Sequence, residues 1–211
     1  MNKTLSIPGS ALIILALAFL TGCSLVNRPE PVTLIAMRTP VPELPLFETT
    51  LPVQLIVATP DAANSLKNDR IALLFDDREI KFLAGAKWEA PVQVLLQRQL
   101  IRYLDATKAF SAVGSDNLGM QSKYRLHSDA QRLHLCYATG EDAPTAEIRL
   151  CLSLLDITRG EILGSRTISF KDKARGGRQD QLLDALDGVV HRAMLDAARW
   201  TASLVKDQEN R

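Results

Sequence analysis

The chain has 211 residues, 46% of them apolar and 23% charged, with 25 basic against 24 acidic side chains. That length and apolar share suffice to bury one good core, so a single domain is the simplest organisation. The even charge balance argues against nucleic acid as a partner, because counterion-driven binding needs a basic face.

At the N-terminus, Lys3 precedes an unbroken apolar run at 11–20, ALIILALAFL, and then comes Leu20-Thr21-Gly22-Cys23. The run is short for a membrane span, which takes about 20 residues. Its order of charge, apolar core and small-residue site is that of a secretory signal. The last four residues resemble the bacterial lipobox, in which a cysteine after a small residue is diacylated on its sulfur. On that resemblance, residues 1–22 are a signal peptide, cleavage falls between Gly22 and Cys23, and Cys23 carries the lipid; an uncleaved anchor is the alternative. Each buried CH₂ of an acyl chain contributes roughly 0.8 kcal/mol to membrane binding. Ser24 follows the cysteine, where Asp is typical of Gram-negative lipoproteins retained in the inner membrane, so sorting to the outer membrane is expected. Loss of residues 1–22 removes Lys3 and no acid, leaving charges in balance. The anchor rather than a basic patch would then hold the membrane.

Residues 23–52 hold six of the ten prolines: Pro29, Pro31, Pro40, Pro42, Pro45 and Pro52. Such chain is extended and semi-rigid, near 3.1 Å per residue where it is polyproline-like. It reads as a lipidated tether, within which 32–37 (VTLIAM) is either more tether or an edge strand.

The domain proper is expected over 53–206. Residues 53–59 are a strand rich in β-branched side chains. Residues 71–75 and 80–83 form a hairpin around Asp76-Asp77-Arg78-Glu79, and Gly85 breaks the pattern. From Pro91 the apolar period changes to about 3.6, with Leu95, Leu96, Leu100, Tyr103 and Leu104 on one stripe of a helix. After a short apolar segment at 110–113 and a loop at 114–119, three extended stretches at 124–138, 146–157 and 161–170 make a meander. A basic loop, 171–178, leads to a long amphipathic helix at 179–205, and 207–211 is a polar tail. The class is α+β: a two-layer sandwich with a mostly antiparallel sheet and two amphipathic helices on one face.

The first meander hairpin can be placed in register by centring its loop between Ala143 and Pro144. Leu133, Leu135 and Tyr137 then face Leu154, Leu152 and Leu150, while His134 faces Ser153 and Cys136 faces Cys151. A one-residue slip would mix the apolar and polar faces. Directly opposed residues lie within disulfide range, and an exported protein meets an oxidising compartment. A Cys136–Cys151 cross-strand disulfide is expected, two free thiols being the alternative.

There is no Gly-rich phosphate loop, HExxH, GxSxG or CxxC. His127, His134 and His191 lack metal-ligand spacing, and Asp76-Asp77 reads as turn chemistry before it reads as a catalytic pair. Trp88 and Trp200 read as core anchors before partner surfaces. No catalytic residue, metal or cofactor is expected.

The whole resembles the ABC-type transport auxiliary lipoprotein family. The resemblance rests on DRIALLFDDREIKFLAGAKWEAPVQVLLQRQLIRYL at 69–104, KYRLHSDAQRL at 123–133, LLDITRGEILGSRTISF at 154–170 and ALDGVVHRAMLDAARWT at 185–201. It does not extend to Cys136 and Cys151. It implies a non-enzymatic periplasmic subunit, anchored through Cys23, that docks onto the MCE-domain protein of an ABC-type phospholipid transporter. Asp76, Asp77, Arg78, Lys87 and Trp88 are the candidate partner contacts, and a homo-oligomer stays open. Two alternatives remain: a carrier that binds lipid or lipopolysaccharide itself, and a structural lipoprotein of the cell envelope.

Overall fold

The computed structural model describes residues 31–41, 45–46 and 50–210. Its centre is a long strand, β7 (Tyr124–Tyr137), whose two edges are used differently. One edge pairs antiparallel with β8 (Thr145–Asp156), which in turn pairs antiparallel with β9 (Glu161–Lys173). The other edge is shared by three strands in succession, all parallel to β7. They are β2 (Leu51–Val57) beside Tyr124–Leu126, β3 (Asp61–Ala62) beside Asp129–Ala130, and β4 (Arg70–Phe75) beside His134–Tyr137. Pro60 lies between β2 and β3, where a residue without an N–H interrupts a ladder. β5 (Glu79–Trp88) folds back antiparallel on β4, β1 (Thr33–Ile35) adds a parallel edge to β5, and β6 (Phe110–Ser115) lies parallel to β2.

The sheet corrects one expectation. Among the described residues five pairings are parallel and three antiparallel, so the sheet is mixed and mostly parallel. Hairpins leave local turn signals, whereas parallel pairs are joined by distant crossovers that leave none. Gly85 does not end its strand either. At φ 69 it forms a bulge that carries β5 on to Trp88.

Two helices cover one face. Helix α1 (Val92–Ala106) starts after Pro91, and α2 (Gln179–Glu209) runs for 31 residues. The stripe expected on α1 is buried, with Leu96 and Leu104 at 0% exposure. On α2 the inward stripe is rich in small residues (Ala193, Ala197, Ala198 and Ala202), which bring the helix close to the sheet. Gly164 on β9 leaves room for Trp200 and Leu204, since a Cβ there would stand 2.9 Å from Leu204 Cδ2. Among the described residues no helix is long and apolar enough to cross a membrane.

The β7–β8 register is not the expected one. Leu133 faces Ile148, Leu135 faces Ala146 and Cys136 faces Thr145, while Cys151 faces Asp129. The turn centres on Gly140-Glu141, with Gly140 at φ 86. Both cysteines are free, and the expected disulfide between Cys136 and Cys151 does not form. A bulge between Ala130 and Arg132 also shifts the phase of β7: Tyr124, Leu126, Ser128 and Ala130 are buried before it, Leu133 and Leu135 after it. An inserted residue of this kind bends and twists the strand.

Packing begins inside the segment read as tether, since Val32–Arg211 forms one compact unit. Beyond β1, Met37 is buried, and the strap after it is fastened to both helices. Arg38 N donates to Asp187 Oδ1 at 3.1 Å. Thr39 Oγ1 donates to Gln99 Oε1 at 2.7 Å, and Tyr103 Oη to the Pro40 carbonyl at 2.8 Å. Tyr103 Oη also meets His191 Nδ1. Its one proton being given to Pro40, the imidazole must donate from Nδ1. The polar tail is likewise structured. Residues 207–209 continue α2, and the Glu209 carboxylate accepts from Lys123 Nζ at 2.7 Å and from the buried Tyr124 hydroxyl.

Glu209→Ala is therefore expected to lower stability by about 1–2 kcal/mol, because the Tyr124 hydroxyl loses its acceptor. Tyr124→Phe in the same chain should recover part of that loss in a urea-denaturation double-mutant cycle. The strap predicts a pH effect. Burial pushes the Asp187 carboxyl up to about 7, aided by Asp184 and opposed by the Arg38 N–H. The folded chain then keeps a proton that the unfolded chain has lost, so stability falls as pH rises from about 4 to about 7. Full conversion of that shift would be about 4 kcal/mol, and solvent reaching the half-buried group reduces it to about 1–2 kcal/mol. Asp187→Asn should be more stable than the parent by that amount at about pH 8 and equal to it below about pH 4. Equal urea midpoints at pH 8 would contradict this.

Candidate functional site

The five expected contact residues separate. Asp76 and Asp77 are the centre of the β4–β5 turn, at φ 46 and 55, the left-handed pair whose twist matches its flanking strands. Arg78 N closes the turn on the Phe75 carbonyl at 3.0 Å. The Asp76 carboxylate accepts from Thr139 N and Oγ1, both at 3.0 Å, which ties this tip to the loop after β7. Phe75 stacks on Tyr137 beneath it, ring centres 4.8 Å apart. Lys87 lies at the other end of β5, about 30 Å along the strand, with Nζ 2.8 Å from Asp69. Trp88 is 2% exposed. Its indole belongs to the core, and that residue is withdrawn as a partner contact. Gly22 and Cys23 lie outside the described residues.

Beside the hairpin tips, the outer face of the sheet gathers a cluster that the sequence reading did not assemble. His134 and Cys136 are two apart on β7 and so project to the same side. Glu147 on β8 stands opposite His134, and Lys171 on β9 stands opposite Glu147. Although on the outer face, Glu147 is 3% exposed. Its two oxygens are used differently. Oε1 accepts from Arg132 NH1 at 3.0 Å. Oε2 has Lys171 Nζ at 3.4 Å, Cys136 Sγ at 3.7 Å and His134 Nε2 at 3.9 Å.

These neighbours set the protonation states. Burial alone would push the Glu147 carboxyl up, and the Arg132 and Lys171 cations more than offset that, holding it below its ordinary value. Burial lowers the His134 imidazole, which is neutral at pH 7. Burial and the Glu147 charge push the Cys136 thiol up to about 11. A thiol held protonated in this way is a poor nucleophile. A cleft of about 230 Å³ adjoins it, lined by Asp76, Asp77, Cys136, Glu141, Glu147 and Lys171 among others. Cys151 lies elsewhere on this face, its Sγ 3.4 Å from Thr167 Oγ1 on β9.

A second surface lies at the β1 edge. A groove of about 360 Å³ runs between β1 and the first turns of α2, with Leu34 and Ile35 contributed by the strand and Asp180, Leu183, Asp184 and Asp187 by the helix. Leu34 is 61% exposed there.

Comparison with known proteins places this architecture. No curated protein matches the chain. A Xanthomonas campestris protein of the DUF330 family shares the fold at TM-score 0.78 and 23% identity, over 85% of this chain and 100% of its own. An uncharacterized protein follows at TM-score 0.59 and 13% identity, over 80% and 99%. PelC of Paraburkholderia phytofirmans, a dodecamer, gives TM-score 0.39 and 16% identity over 70% and 91%, too remote to bear on assembly. The sequence pattern of the ABC-type transport auxiliary lipoprotein component matches residues 39–198, most of the described body, and the chain belongs to that family.

Proposed function

We propose that this chain is a non-enzymatic accessory lipoprotein of an ABC-type phospholipid transporter. In that role it is held by acyl chains on Cys23 at the periplasmic face of the outer membrane and docks onto the MCE-domain protein of the system. The family match over residues 39–198 carries the reading. The signal-like residues 1–22 and the cysteine after them agree with it. So does the close packing of several helix and sheet residues among the described residues. Leu96, Leu104, Leu126, Leu135, Val189 and Ala193 are each at 0% exposure, whereas a lipid carrier needs an open apolar cavity at such a place.

The β4–β5 tip is the docking element in this reading. Asp77 and Arg78 present opposite charges on a short rigid turn, braced from behind by Asp76 and Thr139. Charges placed so at a rim set specificity and association rate more than raw affinity.

The test is purification of tagged full-length protein from its native membranes in mild detergent, with co-purifying proteins and lipids identified by mass spectrometry. An MCE-domain protein should be recovered with the parent. Recovery should fall at least about tenfold, the effect of 1.4 kcal/mol, when Asp77→Arg and Arg78→Glu are combined. Lys67→Glu, an exposed charge outside the candidate contacts, serves as the matched surface control. Tightly bound lipid without an MCE-domain partner would instead favour a carrier.

A further inference from the structure

The geometry points to a binding site for a zinc-class divalent metal ion on the outer face of the sheet, formed by His134 Nε2, Cys136 Sγ and Glu147 Oε2. This goes beyond the transport role and does not depend on it.

The three donor atoms lie within 4.8 Å of one another. Two of the separations, 3.7 Å from Sγ to Oε2 and 3.9 Å from Nε2 to Oε2, are close to tetrahedral spacing. Ligand atoms at ordinary zinc bond lengths of 2.0–2.3 Å stand roughly 3.3–3.6 Å apart. An inward movement of a few tenths of an ångström brings these two pairs to that distance, and the third, Sγ to Nε2, lies within 4.8 Å and closes by up to about 1 Å through rotation of the two side chains.

The donors are well supported. His134 and Cys136 share one strand face, and the ladder fixes Glu147 opposite His134, so all three rise from rigid sheet rather than loops. His134 Nε2 is buried and has no hydrogen-bond partner. This buried ring nitrogen beside a thiol and a carboxylate has no hydrogen bond in the protein alone, and in the Nδ1–H tautomer its lone pair is free to ligate. Arg132 engages Oε1 and thereby leaves Oε2 turned to the other two donors.

A cation already tests this position. The Lys171 ammonium sits 3.4 Å from Oε2, on a side chain 62% exposed. It is a tethered monocation that can swing into water when a dication arrives. Ligation breaks the Cys136 S–H bond, forms a sulfur–metal bond and releases one proton to solvent, with no change of oxidation state. The fourth position falls to water or to the Asp77 carboxylate, which lines the same cleft.

Donor type selects the ion. One nitrogen, one thiolate and one carboxylate suit zinc(II), with cobalt(II) as its spectroscopic substitute. Calcium and magnesium take oxygen ligands and have no reason to settle here.

The experiment uses the full-length protein in detergent with its thiols kept reduced. It is titrated with cobalt(II) and then with zinc(II) in competition with a chromophoric chelator. One cobalt per chain is expected, with a thiolate-to-cobalt charge-transfer band and the intense visible bands of a four-coordinate ion. Cys136→Ser should abolish the charge-transfer band and weaken zinc at least about tenfold, while Cys151→Ser leaves both unchanged. Because Glu147 substitutions endanger folding, Lys171→Met is the second arm. Removing the competing ammonium should hold or tighten zinc binding and raise the zinc-dependent gain in melting temperature. Absence of the charge-transfer band, its survival in Cys136→Ser, its loss in Cys151→Ser, or weaker zinc binding in Lys171→Met would each overturn the site.

Discussion

Strand β7 must satisfy two neighbours whose demands differ along its length. On one edge β8 is continuous, while on the other β2, β3 and β4 take turns. A strand that stayed in one phase would turn the apolar residues of one half toward water, because successive side chains alternate between faces. The bulge between Ala130 and Arg132 resolves this by moving the inward set from even to odd numbers. Tyr124 and Leu126 can then meet the C-terminal part of α2 while Leu133 and Leu135 reach the same core. The same shift turns His134 and Cys136 outward together. Core and surface cluster thus depend on one inserted residue.

The N-terminal strap has a comparable economy. Arg38 engages Asp187 on α2 while Thr39 and Pro40 engage Gln99 and Tyr103 on α1, so the chain is bound to the domain soon after Val32. Force arriving through the anchor proposed at Cys23 would reach the helix pair through these contacts. Composition hid this arrangement. Proline favours extended chain, and an extended segment lies along a helix pair as readily as it spans solvent. What decides between the two is the partner's side chains: Gln99, Tyr103 and Asp187 are distant in sequence and carry no tether-specific signal.

Much of the fold was legible because its signals are local. The β4–β5 hairpin announces itself by Asp76-Asp77, the meander by Gly140 and by Thr158-Arg159-Gly160, and the helices by their periods. Register was not legible, and the reason is specific. An apolar–polar alternation rejects odd slips and accepts even ones, and the β7–β8 pairing lies six positions from the expected one, with Leu133 on Ile148 rather than Leu154. The left-handed Gly140 was the better guide to the turn than Pro144, since it sits in the turn that Glu141 N closes on the Ala138 carbonyl, where positive φ favours glycine. The cysteine pairing failed with the register, and so did recognition of the surface cluster. His134 and Cys136 share a face on any register, but only the true one sets Glu147 opposite His134.

Glu147 then becomes the most informative residue on the surface of the sheet. A carboxylate at 3% exposure is expensive, and an ion pair seldom offsets its desolvation when a hydrophobic residue would serve. A valine or threonine there would suit a strand facing water at no such cost. The chain instead surrounds Glu147 with Arg132 and Lys171, yet leaves the His134 ring nitrogen without a bond. If the group served only to hold β7, β8 and β9 in line, nothing would require that a nitrogen, a sulfur and an oxygen converge on one point. Arg132 alone would stabilise the carboxylate. The convergence on Oε2, with an exposed and displaceable lysine as the resting cation, is what a site for an exchangeable ion requires and what a purely structural ion pair does not.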